Sequence, residues 1–408
     1  MTSPLEGIRM LDLSRETAGP YGSLLLADLG AEVIKVENPA STVRQDRAIL
    51  DRSVEGFDFM INGLGTHFLS MNRNKKSVAL NLRHEKGKEI FYDLVRHADI
   101  VYDNYRPGIT KKIGIDYETL SRINPRIITC SITGFGSTGP LAARPCFDTI
   151  GQAMGGGMSI TLAPDGSPVR PGIPIGDLGS SLLAAIGMLA AIYNREKTGK
   201  GQKVETSILG GQISLLIYMV TDYFASGEVW GPSGIGRRAD ATHAWYKCQD
   251  GRYIAIAAVT DMFFQNLCKA IGREDLITDP RFSKGEIRAR NREQLGAILR
   301  EIFLTKPVDE WEKTLSEADV PCGPVNTIDR ALNNPQVLHQ KMVVTYPHPI
   351  NGEVKAAGNP IKLSEHEQVY TAPPLLGQHT VEILGQLLGY SSEQLAELKG
   401  EGVIDYPD

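Results

Sequence analysis

Cysteine is scarce in this 408-residue chain. Cys130, Cys146, Cys248, Cys268 and Cys322 stand far apart, and no two form a CxxC pair. That spacing excludes a disulfide framework and suits a reducing compartment. The eight histidines show no metal-ligand spacing, so no metal is expected. There is no P-loop and no GxSxG. Neither sign of charge dominates: 43 Lys+Arg against 48 Asp+Glu give −5. Such a surface gives no electrostatic argument for nucleic acid or an anionic membrane. Residues Met1-Thr2-Ser3-Pro4-Leu5-Glu6 lack the apolar core of a secretory leader. The longest apolar stretch, Leu182 to Tyr193, is too short to span a bilayer. A cytoplasmic enzyme or binding protein is the expectation.

What is present is core material. Hydrophobic residues make up 42% of the chain, and the mean hydropathy is −0.16. The length exceeds the roughly 250–300 residues at which a single core stops growing, so at least two lobes are expected. Arg9 to Leu13 reads as a strand, Tyr21 to Leu29 as an apolar-faced helix, and Glu32 to Glu37 as a second strand. The alternation recurs in strands at Ser77–Leu82, Asp99–Tyr102 and Arg126–Ser131, with helices at Glu85–His97 and Tyr117–Ile123. This grammar predicts a parallel sheet covered on both faces. Apolar helices follow, Leu182 to about Arg195 and Gln212 to Phe224, separated by the strand Lys203–Ser207. The loop from Gly227 to Ala241, rich in Gly, Pro and Arg, marks a boundary. Beyond it a strand, Arg252 to Val259, and helices from Met262 to Ala318 form a smaller α+β lobe. A helical pair, Thr380–Leu388 and Ser391–Lys399, follows in the tail.

Several segments could carry chemistry. Gly134-Phe135-Gly136-Ser137-Thr138-Gly139 is a literal GxGxxG, but Pro140 and Pro145 interrupt the place of the phosphate-facing helix, so a glycine-rich turn is expected. Ser14 to Pro20 lies at the carboxyl end of the first strand, where open α/β sheets take ligands. It has a single glycine before Pro20, too few to wrap a dinucleotide's pyrophosphate, and Glu37 stands where dinucleotide enzymes place a ribose-binding acid. A nucleotide-like ligand and an ordinary βα loop both remain open. Asp177 falls in the cap or first turn of an apolar helix. A cap would satisfy free N–H groups for about 1 kcal/mol. The same dipole would keep a carboxylate ionised for attack on an activated acyl group. Asp148 faces the same choice. The basic runs Asn72 to Lys76, with Arg83 beyond, and Arg106 to Lys112 are either solvated faces or polyphosphate contacts at the carboxyl side of the sheet.

Taken in order, Leu5-Glu6-Gly7-Ile8-Arg9-Met10-Leu11-Asp12, Ala18-Gly19-Pro20, Leu29 to Glu37, Asn74-Lys75-Lys76-Ser77, Asn104-Tyr105-Arg106-Pro107-Gly108, Gly176-Asp177, Thr198-Gly199-Lys200-Gly201-Gln202, Pro321-Cys322-Gly323-Pro324-Val325 and Leu375 to Thr380 closely resemble the class III CoA-transferases. That family also holds carnitine-type CoA-transferases and α-methylacyl-CoA racemases. The resemblance implies a Rossmann-like large domain with a parallel sheet, a smaller α+β domain and an interlaced homodimer. It places the large domain at 1–210, a linker at 211–240, the small domain at 241–330, and a return to the large domain over 331–408.

The resemblance also implies the chemistry. Asp177 matches the family's nucleophile, which takes an acyl group from a donor acyl-CoA and then carries CoA as an aspartyl thioester, with no permanently bound cofactor. Glu16, Thr17 and Ala18 match positions near the pantetheine and active site, and Asp148 a second acid. Leu80 and Arg83 match adenine and phosphate contacts, Asn104 and Tyr105 line the CoA path, and Lys112 matches a phosphate-pairing arginine. Asn38 stands where the family often stacks an arginine on adenine. Racemase members need a histidine where this chain has Phe147, which disfavours α-proton exchange. The formyl-CoA branch has a glycine run where this chain reads Gly234 to Asp240, which disfavours formate and oxalate. There, Arg237 and Arg238 are candidates for a second substrate carboxylate. A racemase, and a non-catalytic acyl-CoA-binding protein or partner subunit, are the alternatives.

Overall fold

The computed structural model describes residues 3–39, 60–61, 64–163, 165–231 and 241–407. They divide into two compact units. The first comprises Met1–Met158, Arg170–Thr221 and Leu338–Asp408, and the second Ser159–Val169 and Asp222–Val337.

The first unit is built on seven strands: β1 (Arg9–Asp12), β2 (Glu32–Glu37), β3 (Lys75–Leu80), β4 (Ile100–Asp103), β5 (Ile128–Thr133), β6 (Lys203–Ser207) and β7 (Ile404–Asp405). Their order is β7-β3-β2-β1-β4-β5-β6. All pairs are parallel except β7–β3, where Ile404 lies opposite Leu80 in antiparallel register. The six parallel strands have the doubly wound order of dinucleotide folds, which reverses direction between β1 and β4. Neighbouring strand residues face opposite layers, as the pleat requires. Leu11, Ile34 and Val101 pack with Phe91, Leu94 and Leu384 on one side. Met10, Val33 and Ile100 pack with Leu26, Ala184 and Met188 on the other.

The helices of this unit used below are α1 (Ala18–Asp28), α2 (Thr66–Met71), α3 (Glu85–Arg96), α4 (Ile109–Ile113), α5 (Tyr117–Ile123), α6 (Asp148–Met154), α7 (Ile175–Thr198) and α8 (Ile208–Leu215). Two begin earlier than hydrophobic periodicity predicts. Helix α1 starts at Ala18 because Pro20, in its first turn, needs no hydrogen-bond acceptor. Helix α7 starts at Ile175, which sets Asp177 inside its first turn. At 24 residues it is long and apolar enough to cross a membrane, beyond the stretch read from sequence. Here it lines the core through Ala184, Ala185, Met188 and Ala191, and Arg195, itself buried, pairs with Asp99. The helix expected at Gln212–Phe224 is two, broken by a left-handed Ile217 (φ 43°).

The second unit is α+β. Strands His243–Lys247, Tyr253–Ala257 and Cys322–Pro324 form an antiparallel sheet. It packs with helices between Asp261 and Glu317 around Tyr246, Phe264, Phe303 and Trp311.

Candidate active site

The crevice at the carboxyl ends of β1 and β4 is where this strand order opens a ligand site. The β1–α1 loop there rests on buried charge. Lys35 Nζ donates to the Ser14 carbonyl at 2.7 Å, and Ser14 N–H to Asp12 Oδ1 at 2.9 Å. Asp12 also accepts from Ser23 Oγ at 2.6 Å and pairs with Lys75 at 3.1 Å. Burial would raise the Asp12 carboxyl, but Lys75, Lys35 and the Ser14 and Ser23 hydroxyls bring it down to about 2. Burial lowers Lys75 to about 8, with Asp12 opposing it. Asn104, at the end of β4, accepts from Arg15 N–H (2.9 Å) and donates to the Arg15 carbonyl (2.8 Å). The loop is thus held from below by Lys35 and from the side by Asn104. Within it Glu16 adopts φ 60°. Thr17 Oγ1 lies 2.9 Å from His67 Nε2 of α2. A Cβ on Gly19 would come within 2.1 Å of Ser14 Cβ, so this tight return requires glycine.

Helix α7 delivers Asp177 to the same place. Ser181 Oγ donates both to the Ala18 carbonyl and to the Asp177 carbonyl, tying the first turns of α1 and α7 together. Asp148, the first residue of α6, is buried and reaches across to cap α7. Its Oδ1 accepts from Gly176 N–H at 2.9 Å and Asp177 N–H at 3.3 Å. Its Oδ2 accepts from Gln152 Nε2 at 2.7 Å and lies 3.3 Å from Arg170 Nη1. Gly134 makes this possible. A Cβ there would sit 2.3 Å from Cys146 Cβ, so the segment leading to Asp148 needs glycine beneath it.

The electrostatics overturn one expectation. The helix dipole was expected to keep Asp177 ionised. Instead its carboxyl is pushed up to about 7, by burial first and then by Asp148 and Glu16, with Arg170 opposing. Asp148 has taken the α7 amides for itself, so the cap and the candidate nucleophile are different residues. A carboxyl titrating near neutrality beside a second acid makes this a candidate functional centre.

The other sequence candidates divide. Asn38, Arg83, Asn104, Tyr105 and Lys112 all follow parallel strands and so gather at the carboxyl edge of the sheet. Arg83 and Lys112 are exposed there, and among the described residues neither has an ion-pair partner. Tyr105 receives the Arg15 guanidinium 5.8 Å from its ring centre. Leu80 is fully enclosed in the core, which removes its side chain as a ligand contact. The run Asn72 to Lys76 leads into β3 at its amino end and is spent internally. Arg73 forks onto Asp28 (3.0 and 2.6 Å), Lys75 pairs with Asp12, and Lys76 with Glu32 and Glu382. It is no polyphosphate cradle. Glu37 accepts from Ser77 Oγ at 2.6 Å. Gly134 to Gly139 is the expected turn, with no helix before Asp148. Arg237 and Arg238 lie outside the described residues.

Sequence reasoning missed Arg170, Lys35 and His67, and read Lys75 as part of a basic run rather than as the partner of Asp12. Lysines inside strands buried on both faces were a readable signal of internal pairing. Arg170 carried no such signal, since its partner is 22 positions away.

Known proteins resemble this chain over nearly its whole length. A profile described as CoA-transferase family III matches residues 5–380. The human succinyl-CoA:glutarate CoA-transferase is 36% identical over 98% of this chain and 90% of its own length. A formyl-CoA:oxalate CoA-transferase of Streptomyces avermitilis is 34% identical over 99% of this chain and all of its own. A CAIB/BAIF family protein from Brucella suis superposes with a TM-score of 0.83 at 32% identity, over 95% of this chain and the whole of the other. This chain therefore belongs to CoA-transferase family III and is a CoA-transferase, an enzyme whose substrates are CoA thioesters and carboxylic acids.

Proposed function

We propose that Asp177 carries the transfer covalently, moving CoA from succinyl-CoA to a carboxylic acid acceptor. The observation that carries this reading is a carboxyl poised at about 7 in the first turn of α7. Its ionised form attacks the donor thioester carbonyl, the C–S bond breaks, and CoA leaves as thiolate from a mixed anhydride. The thiolate then attacks the Asp177 acyl carbon and expels the donor acid, leaving an aspartyl-CoA thioester. The acceptor carboxylate repeats the sequence in reverse and restores Asp177. Each step exchanges one activated acyl bond for another, so the relay needs no external energy source. Asp148 fixes the pitch of Asp177 through its backbone. Succinyl-CoA as donor is supported by the name of the human relative.

Arg83, Lys112, Asn104, Tyr105 and Asn38 are assigned to the CoA path, supported by their shared edge. A second copy of this chain is assigned to the outer face of α7, in an interlaced dimer. Leu182, Ile186, Leu189 and Tyr193 form an exposed apolar stripe there at helical spacing. The cytoplasm is assigned as the compartment, on the scattered thiols.

The test is intact mass after mixing with succinyl-CoA. A CoA-sized gain, removed by hydroxylamine and absent in Asp177→Ala, is expected. Absence of any adduct across several acyl-CoA donors refutes the reading.

A further inference from the structure

Three acids bear on one point in this crevice. Asp148 and Glu16 both push the Asp177 carboxyl upward, and Arg170 is the cation that opposes them. An acceptor acid must bring a further negative charge into that field. The placement of Arg170 suits it to meet such a charge.

Arg170 is loosely held. Its contact with Asp148 is 3.3 Å, long beside the roughly 2.7–2.9 Å of a tight charge-assisted bond. Asp148 does not depend on it, because its two oxygens already accept from Gly176, Asp177 and Gln152. The arginine side chain is 42% exposed. Of the five guanidinium N–H groups, the contact with Asp148 engages those on Nη1, so most of the fork remains presentable to a carboxylate. Pro171 follows directly and biases the Arg170 backbone to an extended conformation, which limits where the side chain can start from. Arg170 also approaches the oxygen of Asp148 turned away from Asp177. The other Asp148 oxygen, Oδ1, holds the Asp177 N–H, so a single carboxylate lies between Arg170 and the first turn of α7. A partly exposed cation beside the residue that caps Asp177 is available to a second carboxylate on a short-chain acceptor.

We propose that Arg170 is a specificity-determining residue, pairing with the distal carboxylate of a dicarboxylic acceptor while the proximal carboxylate reacts at Asp177. This rests on the reading of Asp177 as the nucleophile.

The experiment compares four- and five-carbon diacids, succinate and glutarate, with butyrate and pentanoate as acceptors, using whichever acyl-CoA donor is consumed. Wild-type enzyme should prefer each diacid by at least about tenfold in kcat/KM, as expected for a desolvated bidentate pair. Arg170→Gln should abolish that preference, mainly through a higher KM for diacids, when both enzymes are compared at a pH above their own midpoints. Arg170→Lys should restore part of it as a point charge without a fork. Arg170→Gln should also move the pH midpoint of donor consumption upward, because the opposing cation is gone. A wild-type enzyme with no diacid preference overturns the proposal, and so does an equal loss for diacids and monoacids. The Asp177 reading fails separately. If hydroxylamine traps no Asp177 adduct while steady-state transfer still shows an Arg170-dependent diacid preference, the nucleophile assignment is wrong and the acceptor assignment stands.

Discussion

The ionisation of Asp177 can be tested without knowing the acceptor. The free enzyme's essential groups appear in the pH dependence of kcat/KM. A carboxyl at about 7 is roughly one-tenth ionised at pH 6 and nine-tenths at pH 8, so donor kcat/KM should rise about tenfold between them. An aspartate at its ordinary value near 3.9 is ionised throughout that range and would give a flat profile. Asp148→Asn supplies the internal control. It keeps an oxygen able to accept from Gly176 and Asp177 N–H while deleting the charge that presses on Asp177. The midpoint should move to lower pH, and a fall of about one unit would compress the tenfold rise to about twofold. The assay is single-turnover formation of hydroxylamine-labile adduct from about pH 5.5 to 8.5, with Asp177→Ala as blank. A flat wild-type profile refutes the claim that burial and Asp148 set the nucleophile's ionisation. A midpoint moving upward in Asp148→Asn refutes the sign of the interaction.

Other expectations concern the scaffold. Lys75→Met leaves Asp12 buried without its ion-pair partner, and should cost about 3–5 kcal/mol in denaturant unfolding. An unchanged midpoint would show that Lys35 alone neutralises Asp12. Because the folded Asp12 carboxyl lies at about 2, below its unfolded value near 3.9, its contribution is full above about pH 4. It is lost as pH falls towards 2, and acid unfolding of Asp12→Asn should be correspondingly less steep. Gly134→Ala forces Cys146 to move and should destabilise by about 1–3 kcal/mol, with donor turnover falling as Asp148 is displaced. Leu182→Asp with Ile186→Asp should lower the molar mass in light scattering if a second copy covers that stripe. An unchanged mass removes the assignment.

The sheet was legible because alternating strand and helix periodicities leave few arrangements, and its order places Ser14 to Thr17 beside Asn104. The loop's support was not, because it depends on contacts such as Lys75 with Asp12, 63 positions apart. Asp177 was visible as an acid near a helix start, and Asp148 as an acid in a turn; the helix that Asp148 opens was not. What local reasoning left open was their division of labour. A helix dipole acts over one turn, whereas burial and a neighbour 29 positions away decide the ionisation. The first basic run misled for the same reason, since its partners Asp28, Asp12, Glu32 and Glu382 are distant in sequence. Exposed cations at the carboxyl edge were easier to anticipate, because being solvated requires no partner to be found.

The antiparallel strand β7 has a consequence for synthesis. Its pairing with β3, and the Thr380 side chain that accepts from Ala79 N–H, join residues made more than 300 positions apart. Between them a ribosome must produce the whole of Asp222–Val337, which belongs to another compact unit. The β3 edge and the hydrophobic layer completed by Ile383, Leu395 and Ile404 therefore remain open while that unit emerges and folds. For this enzyme the hazardous interval is the wait for its own tail. Conditions that slow elongation over the last hundred codons should reduce soluble yield more than conditions that slow the first hundred.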